Sequence, residues 1–279
     1  MTDYFKEYIK NACLLNDEFM RLCFKNHKPI AQAFVRIILD KSDIEVKRVT
    51  VQDDNITSGG KNMHLDILAV DSAGKRYNIE IQRDSRGAEP KRARAHSSTM
   101  DSNMLRRGMK YENLKETYTI FICEKDFFRQ GVPLYNIERK IVQTGSDFND
   151  GAHIIYVNCE YANTDTDIGR LIHDIKEANY NKIFTEDVRE RVKTFKEAEE
   201  GDEIMSELYM STIGKELELR GIQQGMQQGM QQGMQQGMQQ GMNEGIIESA
   251  RRLMLKGMSA DCVIDLLCLS KEQASLILA

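Results

Sequence analysis

Three consecutive segments decide the fold of this chain: residues 64–70 read HLDILAV, residues 71–75 read DSAGK and residues 76–82 read RYNIEIQ. The first and third segments alternate apolar with polar side chains, a pattern typical of β-strands that have two different faces. The middle segment is rich in residues that favour turns. The sequence therefore predicts an antiparallel hairpin of two strands joined by a tight turn.

The turn fixes which side chains of this hairpin lie opposite one another. If strand pairing begins directly beside the turn, Asp66 lies opposite Glu80. His64 then lies opposite Gln82, either as a phosphate contact or proton shuttle or simply as an exposed histidine. Because side chains alternate along a strand, Asp66, Glu80 and Gln82 share one face of the hairpin. The other face is apolar and is expected to be the core side; it carries Leu65, Ile67, Ile79 and Ile81.

The shared polar face indicates a metal site. Two carboxylates directly opposite one another repel, because their β-carbons are only about 5 Å apart. A divalent cation removes that cost, and hard oxygen ligands of this kind suit Mg²⁺, with Mn²⁺ as a substitute. A cation held by Asp66 and Glu80 could activate water and neutralise charge on a phosphodiester. Gln82 could orient water but carries no positive charge. The alternative is that both carboxylates are solvent-facing charges on an edge hairpin.

The segment after the hairpin is basic, although the whole chain has a formal net charge of −5. Residues 83–110 contain eight basic and three acidic side chains, which favours a phosphate backbone beside the carboxylates. The alternative is an ordinary solvated helix face. Arg94 is also a candidate phosphate contact within the site itself. The residues that we expect to bind DNA are Arg83, Arg92, Arg94, Arg106 and Arg107.

Apolar spacing divides the chain into three parts. Residues 1–182 alternate helical and strand patterns, which predicts an α/β domain with a small sheet covered by helices. Residues 183–245 form a charged helix followed by a repeat helix, and residues 246–279 read as a small helical hairpin. Strands are predicted at residues 45–53, 64–70, 76–82, 118–123 and 153–158, with a long helical stretch at about residues 90–115 that is interrupted near Gly108.

The repeat is a tandem Gly-Met-Gln-Gln tetrapeptide that runs from Gly225 to Gln240. A four-residue step advances about 400° around a helix, so the glycines form one drifting ridge and the methionines the next. Each interior glycine costs about 1 kcal/mol relative to alanine. Such a helix needs a partner helix, or it is partly disordered. We therefore expect a homo-oligomer assembled through the C-terminal helices.

Cysteine spacing and hydropathy indicate the cellular compartment of the protein. The six cysteines are scattered, with no Cys-x-x-Cys pair and no zinc-like spacing with histidine, which is typical of reduced thiols. No apolar stretch approaches the length of a membrane span, and the N-terminus has no signal-peptide pattern. These features predict a cytoplasmic protein without a membrane partner.

The residues around the hairpin resemble a known family. Asp66 in the tetrapeptide HLDI, followed by IEIQ at residues 79–82, looks like the D…E-x-Q variant of the PD-(D/E)XK nuclease motif. The resemblance covers roughly residues 15–180. Further similarity, to the Rpn family of recombination-promoting nucleases and transposases, lies in residues 91–94, 108–111 and 118–123 and in Asp126, Phe128 and Gly131.

This resemblance implies a restriction-endonuclease-like core, a mixed β-sheet flanked by helices, here followed by a helical C-terminal extension. It also implies Mg²⁺-dependent cleavage of double-stranded DNA, with Asp66 and Glu80 as metal ligands and Gln82 where lysine usually stands. The family's early Asp-x-x-Phe-Lys pattern appears as DEFMR at residues 17–21, with the lysine lost. Where relatives show an aromatic pair after the arginines, this chain has Ala95-His96.

Two functions from different classes follow from these patterns. The first is a metal-dependent DNA endonuclease, linked to recombination or mobile elements, whose C-terminal helices serve self-association. The second is a non-catalytic nuclease fold that binds DNA or protein. The retention of Asp66, Glu80 and Gln82 together favours the enzyme.

Overall fold

A computed structural model describes residues 3–55, 63–83, 85–198 and 212–278 of the chain. The chain folds as two compact units, Met1–Lys215 and Glu216–Ala279. The three-part division after residues 182 and 245 stays a prediction.

The described residues of the first unit form a mixed six-stranded sheet in the order β1-β2-β3-β4-β6-β5. β1, β2 and β3 pair antiparallel, β3, β4 and β6 pair parallel, and β5 pairs antiparallel with β6. The predicted α/β class with a mixed, helix-flanked sheet is confirmed. The strands are β1 (Val46–Asn55), β2 (Met63–Asp71), β3 (Arg76–Gln82), β4 (Thr117–Cys123), β5 (Leu134–Ile137) and β6 (Ala152–Asn158).

Helices surround this sheet, and several begin where the sequence provides a start signal. α3 and α4 each carry proline in the first turn, where its missing N–H costs nothing. The Thr166 side chain caps α5 by accepting a hydrogen bond from the Gly169 N–H. The helices are α1 (Asp3–Asn11), α2 (Asp17–Phe24), α3 (Lys28–Leu39), α4 (Pro90–Met104), α5 (Asp167–Lys176) and α6 (Glu186–Lys196).

The register of the central hairpin is the one that the turn predicts. Val70 pairs with Arg76, and Leu68 pairs with Asn78. β3 also pairs along its whole length with β4, so the β2–β3 hairpin lies inside the sheet rather than at its edge. The alternative of an edge hairpin is therefore wrong.

Both faces of the hairpin are buried, which corrects the expectation of a single core side. Ile79 and Ile81 are buried as expected, but Asn78 and Glu80 on the opposite face are each 0% exposed. The reason is α4, which lies across β4, β6 and β2. The polar side chains therefore lie beneath a helix.

Two other elements differ from the sequence expectations. The helical stretch predicted at residues 90–115 ends at Met104, and Gly108 adopts a positive φ of 87° in the turn that follows. The short edge strand β5 was missed because its four residues, Leu134–Ile137, are half-exposed or exposed and show no alternation.

The second unit contains the repeat. α7 (Thr212–Leu255) is one continuous helix of 44 residues, and its methionines at 226, 230, 234, 238 and 242 are 63–76% exposed. Its last turns pack with α8 (Ala260–Leu267) and α9 (Lys271–Leu278) around Ala250, Val263 and Ile277. Residues 246–255 thus continue α7 instead of starting a new helix. Among the described residues, no helix is both long and apolar enough to cross a membrane.

Candidate active site

Glu80 is the fixed point of the polar face. Its Oε1 accepts hydrogen bonds from Asn78 Nδ2 at 2.9 Å and from the Asp66 backbone N–H at 3.3 Å. His96 Nδ1, from α4, lies 3.1 Å from the same oxygen. Burial opposes ionisation of Glu80, but the hydrogen bonds from His96 and Asn78 outweigh it and hold the pKa of its carboxyl below the ordinary value. Glu80 is therefore a buried, ionised carboxylate held in one orientation.

Asp66 stands beside Glu80 in the opposite charge state. Burial, the Glu80 carboxylate and the Asp17 carboxylate at the start of α2 raise the pKa of Asp66 to about 8. The raised pKa of Asp66 favours its protonated form, while the lowered pKa of Glu80 favours ionisation. Two neighbouring carboxyl groups that hold one proton between them avoid the repulsion of two negative charges.

This pair fits a divalent cation. Oε2 of Glu80 is buried and accepts no hydrogen bond within the described part of the chain, which is costly unless something else contacts it. No set of three or more His, Cys, Asp or Glu side chains in the described ranges is arranged to hold a metal. Mg²⁺ does not require one, since it is commonly bound by one or two carboxylates and completes its shell with water and phosphate oxygens.

At the end of β3, the side chain of Gln82 lies close to the backbone of Gly87. This side chain is buried and lies over Gly87, in the 3-10 turn Ser85–Ala88 that precedes α4. A β-carbon at Gly87 would lie 1.8 Å from Gln82 Oε1, so only glycine fits there without displacing Gln82. Ala88 fixes this turn, because its carbonyl accepts a hydrogen bond from the Tyr156 hydroxyl at 3.0 Å.

Arg92, on the first turn of α4, reaches the same place. Its Nη2 lies 3.8 Å from Glu80 Oε2, and its Nη1 lies 3.7 Å from the point where a Gly87 β-carbon would stand. Its Nε donates a hydrogen bond to His96 Nε2 at 3.3 Å. With its proton on Nδ1, His96 therefore accepts from Arg92 and donates to Glu80. The His96 ring is buried and packs edge-on against Phe121.

The other predicted DNA contacts lie outside this cluster. Arg94 is exposed on α4, so Arg92 is the arginine of this helix that approaches Glu80. Arg83 is exposed and forms an ion pair with Glu124 at 3.1 Å. Arg106 and Arg107 are exposed in the turn after α4. The side chain of His64 lies outside the described residues.

The sequence patterns did not assign Asn78, Gly87 or His96 to this site, whereas Asp17 is the first residue of the early pattern DEFMR that the family resemblance pointed to. One signal was present, because Ala93, Ser97, Met100 and Met104 recur at helical spacing and are all buried. His96 lies on this buried face of α4, and Arg92 lies at its edge. The polar composition of α4 hid the stripe.

Comparison with known proteins agrees with the motif. A family model described as PD-(D/E)XK nuclease family transposase matches residues 19–211. No curated protein and no solved structure matches the chain.

Proposed function

Because the chain belongs to the PD-(D/E)XK nuclease family transposases, as its resemblance to the Rpn family predicts, we propose that it is a Mg²⁺-dependent DNA endonuclease. The proposal assigns the metal to Asp66 and Glu80 and the catalytic centre to these two residues with Gln82. The observation that carries it is the buried Glu80 carboxylate beside the half-buried Asp66. Glu80 Oε1 accepts hydrogen bonds from Asn78 and from the Asp66 backbone N–H and lies 3.1 Å from His96 Nδ1, while Glu80 Oε2 is buried without a hydrogen-bond partner among the described residues.

The residues of this chain divide the work of hydrolysis. When bound, Mg²⁺ supplies Lewis acidity that polarises a phosphate oxygen and lowers the pKa of a coordinated water. Asp66 and Glu80 would hold the cation, and Asp66 would be ionised in that state. Asn78 and His96 orient Glu80 through Oε1, and Oε2 has no hydrogen-bond partner among the described residues. Gln82 orients a water molecule through its amide group.

The DNA partner is assigned to the exposed arginines at the end of β3, on α4 and in the turn after α4. Arg83, Arg94, Arg106 and Arg107 are all exposed, as a contact to a phosphate backbone requires. Arg92 is 45% exposed and approaches Glu80 to 3.8 Å. Each arginine that contacts phosphate adds to the salt dependence of binding.

Cleavage of supercoiled plasmid tests the proposal. Purified protein is expected to nick or linearise the plasmid with Mg²⁺ or Mn²⁺ and to do nothing in EDTA. Asp66→Ala and Glu80→Ala, checked for folding by circular dichroism, are expected to bind DNA without cutting it. Folded wild-type protein that binds DNA and cuts with neither metal would support the non-catalytic alternative instead.

Self-association through α7 is part of the proposal. The exposed methionine and glycine ridges carry no charge from residue 221 to residue 243, so only shape can select a partner, and an identical helix presents the same spacing. The full chain is expected to sediment as an oligomer. The double variant Met230→Glu, Met234→Glu is expected to sediment as a smaller species. Gln231→Glu with Gln235→Glu adds the same charge off the methionine ridge and is the matched control. Equal sedimentation of both variants would argue against a methionine contact.

A further inference from the structure

The reaction centre contains a positive charge that β3 does not supply. Gln82 is neutral and stands where a lysine is usual in sites of this kind. Arg92 approaches from α4 instead, with its guanidinium near both Glu80 and the Gln82 amide. The two side chains approach each other near Gly87, where a β-carbon would displace Gln82 and would stand at an ordinary contact distance of 3.7 Å from Arg92 Nη1.

Arg92 is held in a way that leaves its outer nitrogens at the mouth of the site. Nε is engaged by the buried His96 ring. Nη2 stands 3.8 Å from Glu80 Oε2, beyond the range of a hydrogen bond. The Arg92 side chain is 45% exposed, whereas Glu80 is 0% exposed. An arginine that served only to neutralise Glu80 would be expected to close that distance.

The contact with His96 lowers the conformational entropy that the Arg92 side chain loses when it binds an anion. His96 sits four residues further along α4, on the same face, and it links Arg92 to the carboxylate that β3 presents. A guanidinium aimed in advance loses little entropy when an anion arrives. Arg94, one residue beyond Ala93 of the buried stripe, is exposed on α4.

The geometry points to Arg92 as the catalytic cation of this chain, in the role that Gln82 cannot fill; this assignment rests on the proposed nuclease function. Hydrolysis forms a bond between a water oxygen and phosphorus, and the water loses a proton to solvent. The bond from phosphorus to the leaving sugar oxygen breaks, and that oxygen keeps the electron pair and takes up a proton. Arg92 contacts a non-bridging phosphate oxygen and stabilises the negative charge that builds there. His96 is a positioning residue that acts through Arg92 and Glu80.

The experiment measures cleavage rates of the full chain at saturating Mg²⁺ and saturating plasmid. Arg92→Ala is expected to cut about 100-fold more slowly than wild type, while its affinity for DNA falls by less than about threefold. Arg170→Ala is the matched control, since Arg170 lies on α5 with a similar 41% exposure and is paired with Asp167. It is expected to cut at the wild-type rate.

A second variant separates lost charge from lost structure. Adding Gln82→Lys to Arg92→Ala returns a cation to the centre and is expected to restore cleavage at least about tenfold. Arg92→Ala that cuts as fast as Arg170→Ala overturns the assignment, and so does a slow Arg92→Ala that Gln82→Lys does not rescue. Wild-type protein that never cuts overturns the proposed nuclease itself, an outcome distinct from both.

Discussion

The Asp66→Asn protein is expected to be more stable than the wild type at about pH 9 in EDTA, and to lose more than about 100-fold of its DNA cleavage. Burial and the neighbouring Glu80 carboxylate raise the pKa of Asp66 to about 8 in the folded state. In the unfolded chain the pKa of aspartate is about 4. The folded state therefore binds more protons than the unfolded state between these values, and the free energy of unfolding falls as the pH rises through them.

Asparagine removes that dependence because it has no proton to lose. Each unit of pKa difference is worth about 1.4 kcal/mol. Because Asp66 remains partly exposed, we expect the wild type to lose only on the order of 3 kcal/mol relative to Asp66→Asn from acid to alkaline pH. Glu80 acts in the other direction, since its pKa is lowered, but its contribution is lost only in acid. Between weakly acid and alkaline pH, the change in the free energy of unfolding therefore reflects Asp66 and not Glu80.

Urea unfolding across this pH range measures the difference. Asp167→Asn, an exposed carboxylate paired with Arg170 on α5, is the control and should follow the wild type at every pH. Mg²⁺ in alkaline buffer is expected to stabilise the wild type and not Asp66→Asn, because only the wild type binds the cation in its folded state. Parallel stability curves for Asp66→Asn and wild type would show that Asp66 ionises without cost and does not share a proton with Glu80.

Replacing Gly87 by alanine is expected to lower the cleavage rate about 100-fold, since small displacements of a catalytic group cost about that much. The added β-carbon would stand 1.8 Å from Gln82 Oε1 and 2.9 Å from its Cδ. Gln82 must therefore rotate away, and Arg92, whose Nη1 lies 3.7 Å from the same point, loses its neighbour. The free energy of unfolding should change little, because the displaced atoms are the end of a flexible side chain.

A double-mutant cycle shows whether Gly87 acts through Gln82. In the Gln82→Ala background there is no amide to displace, so adding Gly87→Ala should cause little further loss of rate. Rates measured for the two single variants and the double variant under identical Mg²⁺ decide the matter. Losses that multiply would mean that Gly87 matters for the backbone of the 3-10 turn, and the close approach to Gln82 would then be incidental.

The sequence did not predict which arginine of α4 approaches the carboxylates. Arg92 and Arg94 look alike in the stretch KRAR, and the sequence singled out Arg94 for the active site. Ala93, Met100 and Met104 form the buried stripe, so the helix turns Arg92 toward Glu80 and leaves Arg94 exposed. The stripe was hard to recognise because arginine, serine and asparagine surround it.

The departure from the family's aromatic pair has a structural counterpart. Residues 95–96 read Ala-His, and His96 is buried between Glu80 and Arg92 while it packs edge-on against Phe121. The ring therefore keeps an aromatic contact and adds two polar ones. The sequence of α4 alone could not indicate the contacts of His96 with Glu80 and Phe121, because these two residues come from β3 and β4.

The sequence by itself determined the β2–β3 hairpin, its register and the placement of Asp66 and Glu80 on one face. These features depend on a turn and on strand alternation, which are local. Only the tertiary structure decided that α4 covers that face, that His96 and Arg92 join the carboxylates, and that Gly87 admits Gln82. Those contacts join segments that are distant along the chain or on different elements. Their geometry follows from how the helix packs on the sheet, and no periodicity within one segment encodes it.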